Sequence, residues 1–196
     1  MQIKISSNVK EVSLWTKTVH KKQIPFATAM AINDTLRGLK KEMAKQTIKK
    51  LDRPTKTTQN GFLFSRASKR KLVGRLFLKD FVEKYLRFQI DGGIRSPGHK
   101  FAVPTKNSKL NKFGNIVGKR TGLIKNSKQF FGTVNGVSGI FERTNKGNKI
   151  KLIHALVKSA SYKTKFPFYT IAKMFTQNTF DKNLTKSFNR AVKSSK

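Results

Sequence analysis

The sequence contains no cysteine, which removes disulfides, thiolate-held metals and cysteine nucleophiles and suits a chain made in a reducing compartment. Acidic residues are scarce as well: nine Asp and Glu stand against 43 Lys and Arg in 196 residues. Catalysis by paired carboxylates needs two acids aimed at one substrate, yet here only Asp80 and Glu83 lie close together, at a spacing that suits the first turn of a helix, where negative charge offsets the macrodipole. The three histidines, His20, His99 and His154, are too far apart in sequence for a metal-ligand motif. No G-x-S-x-G elbow accompanies the serines. No run of eighteen apolar residues occurs, so no bilayer-spanning helix is expected, and the stretch MQIKISSNVKEVSLWTKTVHKK lacks the apolar core of a signal peptide. The expectation is a chain that is not an enzyme, has no metal, cofactor or small-molecule substrate, and does not enter a membrane.

What the sequence has in excess is positive charge. A formal net charge of +34 goes far beyond what solubility needs and would repel itself in an isolated compact monomer. Phosphate backbones are the commonest neutralising partner, through counterion release; membranes and acidic proteins are the alternatives. The chain is not a disordered polycation, because 37% of it is hydrophobic and it carries 16 Phe, apolar surface that offsets part of the ordering entropy. Its length suits one folded unit with extensions.

Along the chain, residues 1–23 form an N-terminal extension in which Val12, Leu14, Trp15 and Val19 suit a strand or a short helix, the helix being preferred. Ile24-Pro25 opens a long helix over 24–51, since proline fits a first turn. In it Ile32, Leu36, Leu39, Met43 and Ile48 follow a helical period, and Lys residues occupy the opposite surface. Asp52-Arg53-Pro54 ends it. Residues 58–94 read as a hairpin (Gly61–Phe64 and Lys71–Leu78) followed by a short amphipathic helix, Phe81–Ile90, closed at Asp91-Gly92-Gly93. Residues 95–128 read as one long basic loop. Residues 129–166 hold strand candidates at Phe130–Val134, Gly139–Arg143 and Lys149–Val157. Over 167–196, Pro167 opens a C-terminal helix with Ile171, Phe175, Leu184, Phe188 and Ala191 on its apolar side, running into a frayed basic end, Lys193-Ser-Ser-Lys196. Clustered strands flanked by long helices predict an α+β fold with a small antiparallel sheet.

Gly114-Asn-Ile-Val-Gly118-Lys119-Arg120-Thr121 approaches a phosphate-cradling loop, but its spacing is one residue short and Arg120 replaces the hydroxyl that would hold magnesium. A glycine-punctuated basic loop is the better reading. No zinc finger, RNP signature or helix-turn-helix is present, so any nucleic-acid contact would run through phosphates without reading sequence. Candidates for contact with nucleic acid or acidic partners are Lys40, Lys41, Lys45 and Lys49 on the long helix, and Arg66, Lys69, Arg70 and Lys71 in the hairpin turn. The basic loop adds Arg95, Lys100, Lys106, Lys109, Lys112, Lys119, Arg120, Lys125 and Lys128. The competing reading of each is a solvated charged face.

The stretch Ile24-Pro-Phe-Ala-Thr-Ala-Met-Ala-Ile-Asn33, followed by a long basic helix, resembles the "VPxAxAxAIN" opening of the minor tail protein Z (tail completion) family of lambda-like tailed phages. Gly139-Ile-Phe-Glu-Arg143 and Tyr162-Lys-Thr-Lys-Phe-Pro167-Phe168 stand where that family has an Ile/Phe-x-Arg strand and a "Y-x-x-x-F-P" turn. The resemblance implies a structural virion protein acting late in tail completion at the head–tail junction, in contact with other tail, neck and connector proteins. It further implies a homo-oligomeric ring around the DNA path, with viral DNA touched through phosphates. Ile24, Pro25, Phe26, Ile140, Phe141, Phe166, Pro167 and Phe168 are then candidates for assembly contacts. A free nucleic-acid-binding protein, nucleoid-like or ribosome-associated, is the alternative that the charge alone allows.

Overall fold

The computed structural model describes residues 23–117, 122–144 and 149–193. The fold is α+β. In chain order it contains α1 (Ile24–Lys50), α2 (Lys56–Gln59), β1 (Phe62–Ser65), β2 (Arg75–Leu78), α3 (Asp80–Ile90), β3 (Gly93–Arg95), β4 (Phe101–Pro104), β5 (Gln129–Val134), β6 (Val137–Arg143), β7 (Ile150–Val157), β8 (Ala160–Tyr162) and α4 (Phe168–Lys193). The expected N-terminal helix around Val12–Val19 and the tail beyond Lys193 lie outside the described residues. The described chain divides into two compact units.

The helical unit holds the described residues up to Thr47, then Gln59–Val82, and those from Pro167 onward. Its core is built by α1, and the small residues of α1 explain how. Ala27 and Ala31 are at most 1% exposed and Met43 is fully buried. Thr47, also buried, continues the inward stripe from Met43, donating its hydroxyl to the Met43 carbonyl at 2.8 Å. The anticipated Ile48 does not belong to this stripe: it is 56% exposed, because Thr47, four residues after Met43, already occupies the inward position. β1 and β2 pair antiparallel from Phe62↔Leu78 to Ser65↔Arg75, so the second strand is shorter than the apolar run Lys71–Leu78 suggests. A Cβ at Gly74 would run into Leu36 Cδ1 and approach Ile32 Cγ2 at 2.9 Å, so a side chain here would push these two α1 residues aside. Asn33 clamps the loop between the strands, donating from Nδ2 to the Ala67 carbonyl at 3.0 Å and accepting from the Ala67 N–H at 2.8 Å. On α4 the inward positions are Ser187 and Ala191, whereas Phe188, expected inside, is 39% exposed. Phe62, buried in this unit, stacks on Phe168 with ring centroids 6.3 Å apart.

The sheet unit comprises the described residues of Ile48–Thr58 and Glu83–Phe166. Its main sheet has the order β4-β7-β6-β5, antiparallel throughout. β3 and β8 form a second, two-stranded sheet. β5 and β6 are joined by Asn135-Gly136, both at positive φ, the two-residue turn whose twist matches a hairpin. A Cβ at Gly139 would sit 2.6 Å from the His154 carbonyl oxygen, so glycine is needed where β6 passes β7. Residues 95–128 are not the single long basic loop expected of them. Phe101–Pro104 is a strand paired with β7, and Leu110 bridges Ile116. The chain after β4 is tied into tight turns in which Ser108 N–H donates to the Thr105 carbonyl at 3.0 Å and Asn111 Oδ1 accepts from Phe113 and Asn115 N–H. The sequence hides β4 because it is short, lies among Gly, Pro and Lys, and gains its pairing from β7, remote along the chain.

Candidate polyanion interface

Residues four apart on a helix stand on one face, stepped about 6 Å along the axis. In the helical unit this spacing carries cations on both long helices: Arg37, Lys41 and Lys45 on α1, and Lys182, Lys186 and Arg190 on α4, all exposed. Like charges at this spacing destabilise a helix by roughly 0.2–0.5 kcal/mol per pair, so each ladder costs its helix stability in isolation. Two residues of each ladder, Arg37 and Lys41 on α1 and Lys186 and Arg190 on α4, line one cleft together with Asp34, Gly38 and Asn183. Two contacts fix its walls. Asn183 Nδ2 donates to Thr35 Oγ1 at 2.9 Å, and a Cβ at Gly38 would lie 3.0 Å from Phe175 Cζ. Asp34 is the single acid in the cleft, and its Oδ1 holds Arg37 Nη1 at 2.7 Å. Lys41, Lys186 and Arg190 have no hydrogen bond or ion pair among the described residues.

Of the contact residues anticipated from the sequence, Lys41 lies in this cleft and Lys45 continues its ladder; Lys40 is half-buried off that face, and Lys49 sits in the last turn of α1, in the sheet unit. Arg66, Lys69, Arg70 and Lys71 are exposed together in the β1–β2 loop of the helical unit, with Lys69 Nζ 4.7 Å from the Phe26 ring centroid. The remaining candidates belong to the sheet unit and are dispersed. Arg95 is half-buried over the Phe101 ring, and Lys100 donates to Ser138 Oγ at 3.2 Å. Lys106, Lys112 and Lys128 are exposed on three different turns, and Lys109 and Lys125 line a pocket with Glu142 and His154. Lys119 and Arg120, with the rest of the near-match Gly118–Thr121, lie outside the described residues, as does His20. Sequence reasoning missed Lys182, Lys186 and Arg190 as site residues. The signal that could have found them is a four-residue repeat of cations matching the one on α1.

The pairing closest to a nucleophile and base is Ser108 with His154, whose Nδ1 is 3.0 Å from Ser108 Oγ. Its hydrogen bonds assign it to structure. Ser108 Oγ lies 2.5 Å from the Ile153 carbonyl and accepts from Thr105 N–H at 2.8 Å, so backbone groups on two sides tie it into the turn. His154 is 5% exposed, and burial, with Lys125 nearby, holds its pKa below the ordinary histidine value. Asp80 and Glu83 occupy the first turn of α3. No group of three His, Cys, Asp or Glu among the described residues could hold a metal ion, and none of the described helices is long and apolar enough to cross a membrane.

The anticipated assembly residues fall into two sets. Ile140, Phe141 and Phe166 are at most 5% exposed, packed in the chain's own core with no side-chain surface left for a partner. Ile24, Pro25, Phe26, Pro167 and Phe168 are half-buried at the starts of α1 and α4. Comparison with protein-family models, with curated proteins and with solved structures finds no match to this chain.

Proposed function

We propose that this chain is a non-enzymatic structural protein of a tailed-phage virion, a tail completion component similar to minor tail protein Z. It would assemble as a homo-oligomer around the DNA path at the head–tail junction, alongside other tail, neck and connector proteins. The observation that carries this reading is the pair of cation ladders on α1 and α4, turned toward one cleft in a chain of net charge +34. Such a surface is unfavourable alone and favourable against a polyanion held beside it. The residues that carry the family resemblance support a scaffold role, since Ala27, Ala31 and Asn33 seat α1 in its own unit and hold no reactive group. The edge strand β5 supports subunit contact: it has six residues with no charge and no proline, and Phe131 on it is 57% exposed. The opposite edge, β4, ends in Pro104, one of the devices that block strand addition. Mass spectrometry of purified particles from the phage encoding this chain should detect it, and particles that are intact and infectious without it would sink the assignment.

A second reading, a free nucleic-acid-binding protein without sequence preference, nucleoid-like or ribosome-associated, is favoured by the same ladders. The behaviour of the isolated chain separates the two. Tight, steeply salt-dependent binding of duplex DNA by the monomer supports the second; weak binding that strengthens in assembled tails supports the first.

A further inference from the structure

We infer that the α1–α4 cleft is a track for the phosphodiester backbone of nucleic acid, contacted without base reading. This deepens the charge argument of the proposed function and rests on that part of it, not on the virion assignment. Three features of the cleft select a nucleic-acid backbone over the surface of an acidic protein. First, the cations recur at a constant step along both walls. A nucleic-acid strand is a regularly repeating anion along its whole length, which evenly stepped cations suit. Second, the cleft holds two lysines, Lys41 and Lys186, and the rows continue beyond it as Lys45 and Lys182. Lysine acts as a flexible point charge, suited to phosphates that slide past, while recognition of a fixed carboxylate favours the planar arginine fork. Third, no aromatic side chain lines the cleft, so it offers no platform on which bases could stack, and Asn183 is held by its hydrogen bond to Thr35. Contacts confined to phosphate position a nucleic acid without reading its sequence.

The clasp between Asn183 and Thr35 and the close passage of Gly38 past Phe175 keep the two ladders at a set separation. The two helices that carry the rows are therefore held together before the ligand arrives, and binding has only the exposed side chains left to order.

The test uses the full-length chain and random-sequence duplex DNA, titrated across a salt series that starts at low ionic strength. A triple variant, Lys41→Gln/Lys186→Gln/Arg190→Gln, is compared with a control of equal charge loss in the sheet unit, Lys106→Gln/Lys112→Gln/Lys151→Gln. All six side chains are exposed, and circular dichroism checks that both variants keep their helices. The cleft variant should bind at least about tenfold more weakly, with the slope of log K against log salt shallower by about 2–3. The control should stay within about twofold of the parent, since its scattered lysines release few counterions. Equal losses in the two variants would overturn the track and assign binding to diffuse charge. So would a parent chain indifferent to duplex DNA, or displacement of the DNA by polyglutamate as readily as by unlabelled DNA of equal charge. Particle composition does not enter this outcome: a chain absent from virions whose cleft variant still loses DNA keeps the track and loses the virion reading, and the reverse result does the opposite.

Discussion

In the unit built on α1 and α4, cations recur every fourth residue on two helices and two from each helix line a common cleft; in the unit built on the four-stranded sheet, Lys106, Lys112 and Lys128 stand one to a turn and Arg95 and Lys100 are occupied by a ring and a hydroxyl. Basic residues are abundant in both, so the contrast lies in order and not in amount. A helix converts a four-residue repeat into a row, whereas a turn points each side chain its own way. Charge that merely accompanies a Lys-rich composition should be scattered in both units. The rows on α1 and α4 are the part of the charge on which the proposed polyanion contact rests.

The contrast is broken most directly by removing the core that holds the helical unit's elements together. Phe62 is fully buried and stacks on Phe168 at the start of α4, so it joins β1 to the second ladder's helix. Phe62→Ala should cost about 3–5 kcal/mol, the range for emptying a buried aromatic site. Hydrogen exchange at the β1 and β2 amides reads it, and exchange there that stays at the parent rate would mean that this ring does not hold the unit. In the sheet unit the corresponding weak point is backbone against backbone. At Gly139→Ala the new methyl meets the His154 carbonyl oxygen at 2.6 Å and the Leu152 side chain, and a strand oxygen cannot swing away. A loss of about 1–3 kcal/mol is expected in denaturant unfolding, as for other overpacked sites.

A third difference between the units is acid sensitivity, which the sheet unit should show through His154. Burial and Lys125 hold this imidazole neutral in the fold, with its pKa below the ordinary value of 6.5. The unfolded chain thus binds the proton more readily than the folded one. The stability contributed by the neutral ring is complete above about pH 6.5 and declines as pH falls from there through the lower folded pKa. Melting midpoints taken from neutral to mildly acid pH should fall further in the parent than in His154→Gln. Parallel curves for the two proteins would show that this ring does not govern the decline.

Much of the architecture is legible in the residues, and the failures share a cause. α1, α3 and the hairpin β1–β2 announce themselves through periodicity and through Pro25 and Gly92, because these are local signals. β5, β6 and β7 are legible as apolar runs, although the Asn135-Gly136 turn that sets their register is the sharper sign. β4 is not legible, since its partner strand is remote and its own composition is that of a loop. Ile48 and Phe188 mislead because a wheel of apolar residues ignores Thr47 and Ser187, small polar residues that fit closer to the helix axis than a large side chain could. The cleft is half legible. Lys41 and Lys45 can be picked from α1, but the matching row on α4 gains meaning only once the Asn183–Thr35 contact brings the two helices together.

The smallest and most diagnostic effect concerns Asp34. Its carboxylate holds Arg37 at 2.7 Å and is the one negative group in the cleft, so it withholds one rung of the α1 ladder from any anion that enters. The Arg37 side chain is 58% accessible and that of Asp34 29%, and ion pairs this open to solvent contribute only about 0.2–1 kcal/mol to stability. Asp34→Asn should therefore leave the fold nearly unchanged while releasing Arg37 and removing a repulsive charge. Affinity for duplex DNA should rise about threefold to tenfold, and the salt dependence should steepen by about one released counterion. A generic polycation would respond equally to neutralising an acid anywhere on its surface. Glu83→Gln, at the exposed first turn of α3 in the sheet unit, makes that comparison at the same change in net charge. If the two substitutions raise affinity alike, the ordered rows have no advantage over the scattered charges; if Asp34→Asn alone does so, the difference between the two units is the binding site itself.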